Sequence, residues 1–235
     1  MSLRLTRLVA GLVLVVGGSL TTACSQDTAP PEVTPPEDVL AQAKQTLDET
    51  SGVELHLSTP QLPDGVQGIL AARGVATNAP AFDGTISIIF AGSNVEVPVV
   101  AVDGKVYAQI PLTVGWSDVD PAEYGAPDPA GLMDPGTGFS SLLAATSDLE
   151  RGGSVRGGED NTEILTEYTG TVAGPVMKKV IPSSSGDSFD ASYLITDEGE
   201  LRELALTGVF YADSDPITYT VTFEAYGTEQ DISAP

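Results

Sequence analysis

Stretches in which every second residue is apolar recur along most of the chain. Such a chain folds into sheet with one dry face and one wet face. Ile217, Tyr219, Val221 and Phe223 alternate with threonines and Glu224, the clearest case. Val53, Leu55 and Leu57 alternate with Glu54, His56 and Ser58. The same period predicts strands over 66–75, 82–90 and 95–102, and the turn Asp103-Gly104 folds the last of these onto 106–110 as a hairpin. Further alternation joins Ile164, Thr166 and Tyr168, then Phe189, Ala191, Tyr193 and Ile195, then Leu204, Leu206 and Phe210. The helical period is scarcer. It predicts a helix over 37–50, with Pro36 before it, Glu37 and Asp38 in its first turn, and Leu40, Ala43 and Leu47 on one face. A short helix is expected over 138–150, with Phe139, Leu142, Leu143 and Leu149 inward, and a helical turn over 174–181 around Met177 and Val180. The expected class is α+β: about eight or nine antiparallel strands in one sheet that must twist and curl, with helices on its apolar face. Three short helices carry few large side chains, which is a first hint of unfilled space on the concave side.

Composition narrows the function. Acidic residues outnumber basic ones 33 to 10, a net charge of −23. That excludes a nucleic-acid partner, which needs a basic face to displace counterions. One Cys and one His exclude a disulfide framework and the thiolate or histidine sets of zinc sites, so neither a metal nor another cofactor is expected.

The N-terminus reads as an address. Arg4 and Arg7 precede an uncharged run from residue 8 to residue 23, shorter than the roughly 20 residues of a membrane span. The single cysteine, Cys24, follows Thr22 and Ala23 directly. The arrangement resembles a bacterial lipoprotein signal, in which the cysteine is lipidated and becomes the new N-terminus. The alternative is an ordinary secretory peptide cut near Ala23. The expected organisation is a signal over 1–23, a lipidated Cys24 with a Pro/Thr-rich spacer over 24–36, and one domain over 37–235. An exported chain this acidic does not hold an anionic membrane by charge, so its attachment to the outer face of the cell membrane falls to Cys24.

Residues 111–137 break the strand rhythm with five prolines, Trp116 and Tyr124, and three Asp-Pro pairs at Asp120, Asp128 and Asp134 that suit turns or helix starts. A loop of this length in a compact domain is usually functional, and it is the expected border of any cavity mouth. No catalytic constellation stands out. His56 lies on a strand away from any nucleophile signal, GxSxG is absent, and the carboxylates are too many for one pair to be singled out. The expectation is a binding protein and not an enzyme.

The segment VDGKVYAQIPLTVGWSDVDPAEYGAPDPAGLMDPGTGFSSLLA, residues 102–144, resembles the middle of the actinobacterial LppX/LprA/LprF/LprG lipoprotein family, and within it the LprG-like members. The likeness rests on V-D-G-x-x-Y-A at 102–108, W-S-D at 116–118, the Asp128-Pro129 pair and the D-P-x-T-G-x-x-x-L-L-A-like run over 134–144. It implies a curved antiparallel half-barrel with helices on its concave side enclosing an apolar cavity. It also implies an acylated glycolipid or triacylglyceride ligand moved through the cell envelope, and a major-facilitator efflux pump as partner.

The residues expected to line that cavity are Ile86, Ile88 and Phe90 on one strand, Val95, Val97, Val99 and Ala101 on the next, and Val106, Ala108 and Ile110 across the hairpin. Leu142 and Leu143 are added from the helix. An acyl chain entering such a space gains about 0.8 kcal/mol per CH₂. The same positions also suit an ordinary filled core. A lipid-modifying hydrolase and a structural or adhesive surface protein are the other functional readings of the sequence.

Overall fold

The chain enters its sheet in the middle and leaves it in the middle. The computed structural model describes residues 34–158 and 161–235. The expected signal over 1–23, Cys24 and the spacer up to residue 33 lie outside the described residues, and Thr34–Pro235 forms one compact unit. Helix α1 (Pro36–Glu49) leads into β1 (Gly52–Ser58), after which hairpins carry the chain outward through β2 (Ile69–Thr77), β3 (Ala81–Phe90), β4 (Ser93–Val102), β5 (Lys105–Ala108) and the short edge strand β6 (Ser117–Val119). A crossover then takes it to the opposite edge. There α2 (Ser140–Ala145) turns into β7 (Thr146–Gly157), and β8 (Glu163–Ala173), α3 (Gly174–Val180), β9 (Ser188–Thr196), β10 (Leu201–Gly208) and β11 (Ile217–Glu224) return to the centre. The order is β6-β5-β4-β3-β2-β1-β11-β10-β9-β8-β7, with every neighbouring pair antiparallel. This is a curved half-barrel with helices on its concave side.

The sheet has eleven strands among the described residues rather than eight or nine, and two local expectations also need correction. The segment 138–150 is not one helix: α2 ends at Ala145, and Leu149 belongs to β7. The stop has a cause, because the Thr146 hydroxyl donates to the Leu142 carbonyl at 2.7 Å and lies 2.6 Å from the buried Tyr193 hydroxyl, fixing the switch to extended chain. The loop over 111–137 also contains a strand, β6, and two turns of 3-10 helix.

The concave face carries the main core. Val53 and Leu55, Phe82, Val97 and Val99, Tyr193 and Ile195, Leu204 and Leu206, and Val221 and Phe223 are all buried there, one face per strand as the pleat requires. The cover is unequal. Helices α1, α2 and α3 pack on one another and on β7, β8, β9 and β10, and Phe210 meets Phe189 in a tilted and Tyr219 in an edge-to-face contact at centroid distances of 4.9 and 5.0 Å. Over β2, β3 and β4 the cover is the irregular crossover around Pro129–Gly131. On the convex face a small second cluster joins Ala81, Val100 and Val102 with Tyr107, Trp116 and Ile232 of the C-terminal tail. Among the described residues no helix is long and apolar enough to cross a membrane.

Candidate functional site

Where the crossover replaces helices, the concave side retains a cleft of about 80 Å³. Its floor is Leu55 and Leu57 of β1, Ile69 and Ala72 of β2, Phe82 and Ile86 of β3 and Tyr219 of β11. Its cover is Tyr124–Pro127, Pro129, Leu132 and Phe139 of the crossover, with Ile181 and Ser183 after α3 and Tyr211 of the β10–β11 loop. In a chain of net charge −23, no charged side chain among the described residues lines this space.

The three Asp-Pro pairs shape the cover. Asp120 accepts from Ala122 N at 2.9 Å and Asp128 from Ala130 N at 3.0 Å, each starting a 3-10 turn whose next residue, Pro, has no N–H to satisfy. Asp134 accepts from the Gly136 and Thr137 amides and the Thr137 hydroxyl at 2.8–2.9 Å, which holds its carboxyl below the usual carboxylate range. These caps give the crossover a defined path with little regular hydrogen bonding.

Of the residues the sequence proposed, the structure brings Ile86 to the cleft. Ile88 and Ile110 are half-buried and pack against the core, and Val95 is half-buried near the β3–β4 turn. Val97, Val99, Ala101, Val106, Ala108, Leu142 and Leu143 are buried in the core itself, Leu142 and Leu143 three and four residues beyond Phe139 of the lining. Phe90 stands at the hairpin end, 40% exposed. Leu57, Ile69, Ala72, Tyr211 and Tyr219 were missed. Alternation along 53–58 pointed to Leu57, but a register shift between Ile69 and Ala71 hides the start of β2.

The cleft's chemistry is that of an apolar slot with a few hydroxyls. Tyr219 donates to the Ile69 carbonyl at 2.6 Å and lies 2.8 Å from the Tyr211 hydroxyl, and burial pushes the Tyr219 phenol well above its usual range. His56 is exposed on the opposite face of β1, flanked in register by Arg73 and Thr222. No base adjoins the lining hydroxyls among the described lining residues.

Comparison with known proteins agrees with this architecture. The curved sheet resembles that of LprF from Mycobacterium bovis, with a TM-score of 0.68 and 15% identity, covering 85% of this chain and 96% of that one. The lipoprotein LppX of Mycobacterium tuberculosis gives a TM-score of 0.60 at 15% identity, covering 84% and 98%. In sequence, the lipoarabinomannan carrier protein LprG of Mycobacterium tuberculosis is 25% identical over 150 residues. That match spans 61% of each chain, under two thirds of the relative's length. The same protein of Mycobacterium bovis matches to the same extent. The LppX_LprAFG lipoprotein model matches residues 35–234, nearly all of the described sheet and its cover, and the chain belongs to that family.

Proposed function

We propose that this protein is a membrane-anchored carrier that takes the acyl chains of a lipid into the cleft between the sheet and the crossover and moves that lipid through the cell envelope. The observation that carries the reading is an uncharged, apolar slot on the concave face of a strongly acidic chain, roofed by irregular loop where the neighbouring half is sealed by helices. Similarity to a lipoarabinomannan carrier supports it and points to an acylated glycolipid, with a triacylglyceride as the alternative cargo. A cleft of about 80 Å³ is well below the roughly 300–1,000 Å³ of ordinary ligand sites, so uptake requires the crossover to move off the sheet. Val97, Val99, Ala101, Val106 and Ala108 form the apolar ground into which it widens. Cys24 supplies the tether as its lipidated residue, and a major-facilitator pump is the expected partner at the membrane.

Ile86→Trp tests the site. Delipidated wild type should take up acyl lipid in native mass spectrometry, and the variant should lose that uptake while melting within a few degrees of wild type. Wild type that binds no acyl chain, or a folded variant that binds as well as wild type, overturns the assignment. For the tether, labelled palmitate should appear on the wild type and not on Cys24→Ser.

A further inference from the structure

Two hydroxyls of the cleft lining have a hydrogen-bonding sense that is already decided. A phenol carries one proton, and that of Tyr219 goes to the Ile69 carbonyl oxygen. In the bond between the two hydroxyls Tyr211 is therefore the donor and Tyr219 the acceptor. Tyr211, a residue of the lining, has then spent its own proton, and its oxygen keeps lone pairs only. The ring is held in place. The Ser214 hydroxyl donates to the Tyr211 carbonyl at 2.8 Å, and Gly68 leaves room for the phenol where a methyl group would collide with its oxygen.

Resting on the carrier reading above, we infer that Tyr211 selects acyl lipids that bring a hydroxyl donor into the cleft over lipids whose hydroxyls are all esterified. A fully esterified glycerol presents only oxygen acceptors, and two acceptors facing each other in an apolar slot leave both unsatisfied. A diacylglycerol, or a sugar-bearing lipid, donates to Tyr211 and completes a chain running through Tyr219 to the Ile69 carbonyl. Ser183 and Tyr124, the other hydroxyls of the lining, do not discriminate. Among the described residues nothing fixes their protons, so each turns to donate or accept as the ligand requires.

The test is competition between 1,2-dipalmitoylglycerol and tripalmitoylglycerol for delipidated protein, read as the ratio of the two complexes in native mass spectrometry. Wild type should favour the diacylglycerol. Tyr211→Phe removes the hydroxyl, and with it both the acceptor offered to the ligand and the donor to Tyr219, and should lower the ratio about threefold to tenfold, the worth of one hydrogen bond. Tyr219→Phe should lower it as well, because the freed Tyr211 proton then reaches an ester carbonyl. Uptake of both lipids with the same ratio in wild type and both variants overturns the selectivity and leaves the carrier reading standing. Uptake of neither lipid by wild type overturns both.

Discussion

Phe82 owes its place on the cleft floor to two missing side chains. Gly74 and Gly84 face each other across the β2–β3 pair, and the Phe82 ring lies over both. A Cβ on Gly84 would come within 2.6 Å of the ring's Cζ and 2.8 Å of the Gly74 Cα, with the Arg73 carbonyl closer still. Gly84→Ala therefore has to push the ring into the cleft or part the strands. A loss of about 1–3 kcal/mol in urea unfolding is expected, together with weaker lipid uptake, and an unchanged midpoint would show that the ring moves without resistance. The alternating pattern showed that Phe82 and Ile86 share an inward face. It gave no depth along the strand, so it could not separate Ile86, under the crossover, from Phe90, four pairs nearer the open hairpin. Tyr211 and Tyr219 were beyond its reach, because their role depends on a loop and a strand meeting.

Among the elements, β7 was the hardest to read. It is an edge strand with almost no buried residue, and register shifts between Ser147 and Glu150 and between Arg151 and Ser154 break any alternation. Glycines at 152 and 153 complete the disguise, and such bulges and charges are ordinary devices for blunting an edge. Strands β1, β3, β4, β9 and β11 were legible because each has one wet face and one dry. The next strands inward are tied by charge: Arg202 of β10 reaches across β9 to Glu163 of β8, with contacts of 2.7 and 2.9 Å, and also meets Glu200 at 2.7 Å. The Arg202 hydrogen bonds hold the Glu163 carboxyl below the usual glutamate range. A carboxyl with a depressed folded pKa stabilises the fold above its unfolded value, about 4.3, and loses that contribution as pH falls through the folded value. Glu163→Gln should then melt lower than wild type at neutral pH, by about 1 kcal/mol for a pair this accessible to solvent. The gap should close below about pH 4, and a gap independent of pH would refute the ion pair as its cause.

Taken whole, the molecule has one half sealed by helices and one half that holds the cleft. Helices lock the concave side of β7–β10, while above the cleft β1–β3 are covered by the capped crossover loop, the segment after α3 and the β10–β11 loop. The hollow half is braced from behind. The tail beyond β11 bonds to Gly52 through the Gly227 and Thr228 amides, Gln230 meets Asp83, and Ile232 packs against the convex cluster with Trp116. Trp116 is the chain's only tryptophan, so it reports on this brace. Ile232→Asp should shift its fluorescence to longer wavelength and cost about 1 kcal/mol, part of the transfer energy of an isoleucine. Unshifted emission would mean that the tail does not shield the indole.

The entry and exit of the chain at mid-sheet have a consequence for how the protein is assembled. Among the described residues every ladder but one joins strands consecutive in sequence, and the exception is β1 with β11, which pairs Leu55 with Phe223 and Leu57 with Val221. Two ribbons can zip quickly from their own turns, but the seam between them must close a loop spanning most of the domain, the slow step in chains of this kind. Until it closes, each ribbon ends in a bare, half-greasy border that fits the other ribbon and fits a neighbouring molecule's equally well. Crowded refolding therefore favours interlocked pairs that have traded halves, and dilution favours the monomer.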